Sequence, residues 1–308
     1  MPTEIARGSI VTARDLEMLA ALDYGPLTAK QLVKLSTTWP EPFPSRRLVR
    51  ERMQKLAESK LVTSDRYAIQ HAGTPENYYL LTRQGYQLVH GPDNEPPTKG
   101  YFSAVALGRQ PHQQALSDFI VQTACAAHRS GVRFTGFYRE NTMCLTADKQ
   151  SVYPDASFIL VGQDGKPLRF FVEIDNGTER VRSEKEADSI ERKIRIYDAV
   201  QDRDPADRFR VLFVSARNSR ERMTHILQTA ARVMRNPDRT LLYGITLLEY
   251  LASSVPVTAP LFTDHRHDRQ SLVPDIRADS LLGPNLLLRT RLQCLALPPV
   301  GFPFGFSA

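Results

Sequence analysis

The stretch FFVEIDNGTERV, residues 170–181, puts two carboxylates where a chain ordinarily keeps apolar side chains. Phe170, Phe171, Val172 and Ile174 predict a buried β-strand, and Glu173 and Asp175 interrupt it. Side chains alternate along a strand, so both acids project from one face, about 7 Å apart along the chain. Asn176-Gly177 then turns the chain out of the strand. Two acids on one face at a strand end repel unless a cation, a proton or a donor-rich ligand lies between them. The elements on either side must therefore supply or admit that partner.

The surrounding pattern predicts a mixed domain. His112–Ser130 reads as an amphipathic helix closed by Gly131, with Asp118 its one acid. Strands follow at 132–139, near 142–145 and over SVYPDASFILVG, and the last is joined by a QDGK turn to LRFFVEID. A charged helix is expected over roughly Val181–Val200, with Thr178 and Glu179 favouring its N-terminus. FRVLFVSA, an unbroken hydrophobic run, belongs at the sheet centre, and a helix over Arg220–Asn236 packs back onto it.

The first ninety residues have a different rhythm. Thr12 caps a helix over Ala13–Tyr24, Thr28 a second over AKQLVKLS, and Ser45 a third over residues 46–59. Two short β-runs joined by a Gly-Thr-Pro turn follow, then a small helix from Thr82. Three helices and a two-stranded ribbon is the order of a winged helix-turn-helix. Its third helix would enter a major groove with Arg46, Arg47, Arg50, Arg52 and Lys55 as DNA-binding residues. Residues 45–60 hold six basic residues against two acidic ones, which marks this helix out from the rest of a mildly basic chain of net charge +6. A second cluster, nine Arg against four acids over 203–239, reads as a solvated face.

Composition narrows the field. No apolar run reaches membrane-span length, and Cys125, Cys144 and Cys294 are too scattered for a zinc site or a disulfide framework. A cytoplasmic protein with no membrane partner is expected. Four regions follow: a winged-helix DNA-binding domain at 1–91, a linker at 92–109, a second domain at 110–252 and a Pro-rich C-terminal extension at 253–308. TDHRHDRQ at 263–270 carries two histidines without a third ligand at matching spacing, and reads as a surface loop.

Pro154-Asp155 followed by Glu173-x-Asp175 across a hairpin resembles the active-site layout of the PD-(D/E)xK nuclease superfamily. Over roughly residues 10–215 the chain resembles the replication-relaxation family of plasmid and mobile-element proteins. The residues that carry the likeness are TARDLEMLAAL, LTAKQLVKL, RRLVRERMQKLAESKLV, GTPENYYLLTRQG, YPDASFIL, FFVEIDNGTE and KIRIY, in that order. The resemblance implies an α+β / α/β chain: a winged helix followed by a PD-(D/E)xK-like αβββαβ domain. It also implies double-stranded DNA as partner, with plasmid replication or mobilisation proteins as further candidates.

The resemblance also implies a metal site. Asp155, Glu173 and Asp175 would be its ligands, and hard carboxylate donors suit Mg²⁺ or Mn²⁺. The superfamily pattern places a Lys two residues after the Glu; this chain has Asp175 there. Lys193 and Tyr197, four apart on the following helix and so on one face of it, could reach the same pocket as catalytic residues. With the Lys displaced, the expectation is a DNA-binding accessory protein of replication or relaxation whose nuclease-like domain is degenerate in catalysis. An active Mg-dependent DNA endonuclease is the alternative, and a winged-helix transcriptional regulator a third.

Overall fold

In the computed structural model, the residues described are 11–68, 75–95, 97, 99–140, 142–181 and 189–274. All fall within one compact unit, Met1–Pro274. The extension beyond residue 274, including Cys294 and the terminal GFPFGFSA, lies outside the described residues.

Hydroxyl caps start the first helices as the sequence requires. Thr12 closes a reciprocal capping box with Asp15 at the head of α1 (Ala13–Ala21), and Thr28 does the same with Gln31 for α2 (Ala29–Ser36). Ser45 caps α3 (Arg46–Glu58), which buries Val49, Met53 and Leu56 along one stripe. The strands β2 (Val62–Arg66) and β3 (Asn77–Leu81) form an antiparallel ribbon, and the two-residue β1 (Leu27–Thr28) adds to the far side of β3. Thr82 caps α4 (Arg83–His90), which begins so close to Leu61 that a Cβ at Gly85 would sit 2.0 Å from its carbonyl oxygen.

The second half is a seven-stranded mixed sheet between helices. The 20-residue α5 (Gln110–Arg129) leads into β4 (Arg133–Arg139), which pairs antiparallel with β7 (Ala156–Val161). β7 turns through Gly165, at φ 74°, into β8 (Pro167–Asp175). A helix, α6 (Ile190–Arg203), returns the chain to β9 (Phe209–Ser215), parallel to β8. Sheet order is β12 (Arg269–Gln270), β11 (Phe262–Asp264), β10 (Leu242–Thr246), β9, β8, β7, β4, so β9 is the central strand, as its apolar run predicts. Phe170, Val172 and Ile174 face a core shared with α5; Phe171 faces the opposite core, shared with α6 and α7 (Arg220–Val233).

Several expectations are corrected. The strand expected near 142–145 is β5 (Leu145–Ala147), and it pairs with β6 (Gln150–Val152) in a separate ribbon outside the main sheet. SVYPDASFILVG is therefore two strands, divided at Pro154-Asp155, where Pro154 brings no N–H to a ladder. The charged helix begins at Ile190, while residues 182–188 of its expected span lie outside the described residues. Past residue 236 the sheet continues through β10 (Leu242–Thr246), the short helix α8 (Leu247–Ala252), β11 (Phe262–Asp264) and β12 (Arg269–Gln270). The sheet thus runs beyond residue 252, and TDHRHDRQ is its last hairpin, with buried His265 bonded to the Pro237 carbonyl at 2.8 Å.

The N-terminal helices and the sheet domain also share a core. Val121, Ala124 and Cys125 of α5 pack in the same cluster as Leu19, Leu32 and Leu35. Polar ties run alongside: Gln31 donates to Asp118 at 2.8 Å and Ser117 to the Pro26 carbonyl at 2.9 Å. Asp118 therefore belongs to this junction. No helix among the described residues is long and apolar enough to cross a membrane.

Candidate functional site

Glu173 sits near the C-terminal end of β8, almost wholly buried and facing α6. Lys193 and Tyr197, one helical turn apart, both turn toward it. The Tyr197 hydroxyl donates to Glu173 Oε1 at 2.6 Å and the Lys193 ammonium donates to Oε2 at 2.9 Å. Lys193 also donates to Glu179 Oε1 at 3.0 Å. Burial pushes the Glu173 carboxyl up to about 7; Lys193 opposes the rise and Asp155 adds to it. Burial pulls Lys193 down, but Glu173 and Glu179 override it and hold the ammonium above its usual range. Burial first, and Glu173 second, push the Tyr197 hydroxyl well above 10.

Asp155 stands just before β7 begins, beside the last residues of β8. Its own N–H donates to the Val172 carbonyl at 3.0 Å, and its Oδ2 accepts from the Ile174 N–H at 2.7 Å. The side chain thereby takes the acceptor place that β7, starting one residue later, would have filled in the ladder. Oδ1 faces His112 Nε2 of α5 at 3.1 Å, a buried contact whose angle is off that of a well-directed hydrogen bond. Burial lowers the His112 imidazole, and the Asp155 carboxylate outweighs that and raises it above 6.5. His112 was not legible as a site residue, because nothing in local spacing ties the start of α5 to a strand end forty residues on.

Asp175 points to the same side as Glu173 but has a partner of its own. Arg222 of α7 grips it in a two-pronged pair, Nε to Oδ2 at 2.6 Å and Nη2 to Oδ1 at 2.7 Å. Arg222 Nη2 also donates to the Glu179 carbonyl at 2.5 Å, and the Gly177 N–H bonds Asp175 Oδ1 at 3.1 Å. Arg222 lies within the Arg-rich 203–239 segment read as a solvated face, yet its guanidinium is mostly covered. Of the residues predicted for the site, the fold brings together Asp155, Glu173, Lys193 and Tyr197, and closes Asp175 off with Arg222. Among the described residues no group of three or more His, Cys, Asp or Glu side chains is placed to hold a metal ion. Two hard carboxylates, Asp155 and Glu173, still form a donor set that Mg²⁺ accepts when water and phosphate complete its shell.

The basic helix is built on the opposite principle. Arg46, Arg47, Arg50 and Lys55 are exposed on α3, off the buried Val49-Met53-Leu56 stripe. Arg47 pairs with Glu51 one turn on at 2.7 Å, a solvent-exposed i,i+4 pair, and Arg46 lies 3.9 Å from Glu76 at the ribbon. Arg52 differs: it turns inward onto the fully buried Asp15 of α1, a structural ion pair.

A mixed α+β chain with a basic helix, an edge ribbon and a carboxylate-lysine strand end is the class these elements define. The replication-relaxation family matches residues 16–213, nearly two thirds of the chain, and this chain belongs to that family. Among solved structures it is similar to Bacillus subtilis PadR in complex with operator DNA: 14% identity, 40% of this chain and 75% of that chain covered, TM-score 0.24. Among curated proteins none matches.

Proposed function

We propose that this protein binds duplex DNA in the replication or relaxation of a plasmid or other mobile element. In this reading α1 to β3 is a winged helix that grips DNA, and α5 to β9 is a PD-(D/E)xK-like αβββαβ scaffold with a degenerate catalytic site. The observation that carries the reading is the exposed row Arg46, Arg47, Arg50 and Lys55 on α3, held clear of the helix's buried stripe. Arg suits this task because its planar fork grips phosphate at two points. Family membership supplies the setting. The test is fluorescence-anisotropy titration of a duplex of about 30 base pairs, some three helical turns. The Arg46→Ala/Arg47→Ala/Arg50→Ala variant should bind about tenfold or more weakly at moderate salt. Equal affinity would reassign α3 to protein contacts.

A second reading, an active Mg²⁺- or Mn²⁺-dependent endonuclease, is favoured by one contact. The Lys193 ammonium reaches Glu173 from α6, delivering the cation that the superfamily pattern places where Asp175 stands. Asp155 and Glu173 would hold the ion, which when bound supplies charge neutralisation and a more acidic water. Lys193 would then balance phosphate charge, Tyr197 would fix the Glu173 carboxylate, and Asp175, tied by Arg222, would stay outside the ligand set. Incubating supercoiled plasmid with either metal decides between the readings. Intact plasmid supports the degenerate site; cleavage that disappears in Asp155→Ala and in Lys193→Ala, both checked for folding, supports the nuclease.

A further inference from the structure

A line of contacts joins the basic helix to the carboxylate site. Arg46 opens α3 and lies 3.9 Å from Glu76, whose carbonyl accepts from the Tyr67 N–H at 3.1 Å beyond the last ladder pair of the ribbon. The next residue, Ala68, donates its N–H to Gln110 Oε1 at 2.6 Å. Gln110 is buried, the first residue of α5, and also donates to the Arg66 carbonyl at 3.4 Å. Two residues on, His112 faces Asp155 at 3.1 Å. The first turn of α5 thus holds the outer end of the ribbon with one side chain and faces Asp155 with another.

Helical rise and the reach of two side chains put Ala68 and Asp155 no more than about 20 Å apart. Along a duplex that is about six base pairs at ~3.4 Å each. Three exposed cations lie on this line against one exposed acid, Asp65: Arg46 on α3, Arg66 on the ribbon edge and Arg109, half exposed and paired with Glu140, beside Gln110. The core shared by α5 and the N-terminal helices makes the spacing a fixed property of the fold rather than one set by a linker.

We propose that α3, the ribbon and the Asp155–Glu173 strand end face one continuous segment of duplex DNA, with the strand end within about six base pairs of the ribbon's contacts. The inference rests on the DNA-binding reading of α3 and goes beyond it, since a winged helix on a free linker would leave the sheet domain off the DNA.

Cys144 reports on the shared surface. It is exposed, and its neighbour Met143 accepts from Ser157, two residues after Asp155, at 3.8 Å. In a Cys294→Ser background, with Cys125 buried, the rate of Cys144 alkylation by a bulky maleimide is measured without and with saturating duplex of about 30 base pairs. Protection of about tenfold or more is expected at duplex about ten times its Kd or above, where about one protein in eleven or fewer remains free. It should be lost with the Arg46→Ala/Arg47→Ala/Arg50→Ala variant at concentrations where its binding is abolished. Tight binding with an unprotected Cys144 overturns the inference alone. A triple variant that binds as tightly as the parent overturns the reading of α3 and the inference with it.

Discussion

The cations of α3 and those of the strand-end site use the same chemistry to opposite ends. Arg46, Arg47, Arg50 and Lys55 are exposed; Arg47 pairs with Glu51 at 2.7 Å, but both side chains stand in solvent, and Arg46 is 3.9 Å from Glu76. Lys193 and Arg222 are mostly covered, each satisfied by carboxylate oxygens at 2.6–3.0 Å. In the first region the charge faces solvent; in the second it neutralises acids that the fold has buried. Arg52 makes the contrast within one helix, because it alone leaves the exposed row to pair with buried Asp15. Charge count along the chain separates none of this. Burial of the opposite partner does.

Breaking the buried pairs should give the largest effects. Lys193→Ala leaves Glu173 buried beside Asp155 without its cation, and should destabilise by about 3–5 kcal/mol in urea unfolding. A cost below about 1 kcal/mol would mean that the site is as solvated as a surface pair. Arg52→Ala should cost about 3 kcal/mol for the same reason, since Asp15 would keep only its Thr12 cap bonds. Arg222→Ala should cost about 2 kcal/mol, because Asp175 retains the Gly177 N–H and gains water as the strand end opens.

A smaller, signed effect is expected in the pH profile. The folded Glu173 carboxyl lies above its ordinary value of 4.5, at about 7, so the folded state holds a proton that the unfolded chain has released. Its contribution to stability is fully present below about 4.5 and is lost as pH rises through about 7. Asp15 has the opposite sign: burial raises it, but Arg52 and Thr12 outweigh burial and lower it below 3.8. Its contribution is present above the unfolded value and is lost as pH falls through the folded one. Glu173→Gln should flatten the stability profile between about 4.5 and about 7 and leave the acid limb unchanged. An unaltered slope in that window would place Glu173 in contact with water.

Much of this was legible in the sequence where the signal is local. Thr12, Thr28, Ser45 and Thr82 marked helix starts because a cap acts within three residues. An apolar run interrupted by two carboxylates identified β8, and an unbroken one the central β9. Lys193 and Tyr197 were legible as a pair because helix periodicity fixes which residues share a face. Arg222 was hidden: it meets Asp175 across forty-seven residues, and one Arg among nine carries no mark of its destination. His112 and Arg52 were hidden likewise, by helix packing that no short window contains. The side ribbon of β5 and β6 was missed because Pro154-Asp155 reads equally well as a kink within one strand and as a break between two.

The smallest effect on folding should accompany the largest on binding. Replacing Arg46, Arg47 and Arg50 with Ala should leave stability within about 0.5 kcal/mol, as expected for exposed positions. The same variant tests the central claim most directly through the salt dependence of duplex affinity. Each phosphate that is no longer neutralised lowers the log–log slope by about 0.9, so the triple variant should show a slope shallower by about 2.7 than the parent. Parent and variant with the same slope and the same affinity would contradict the account, and α3 would not be the helix that grips DNA.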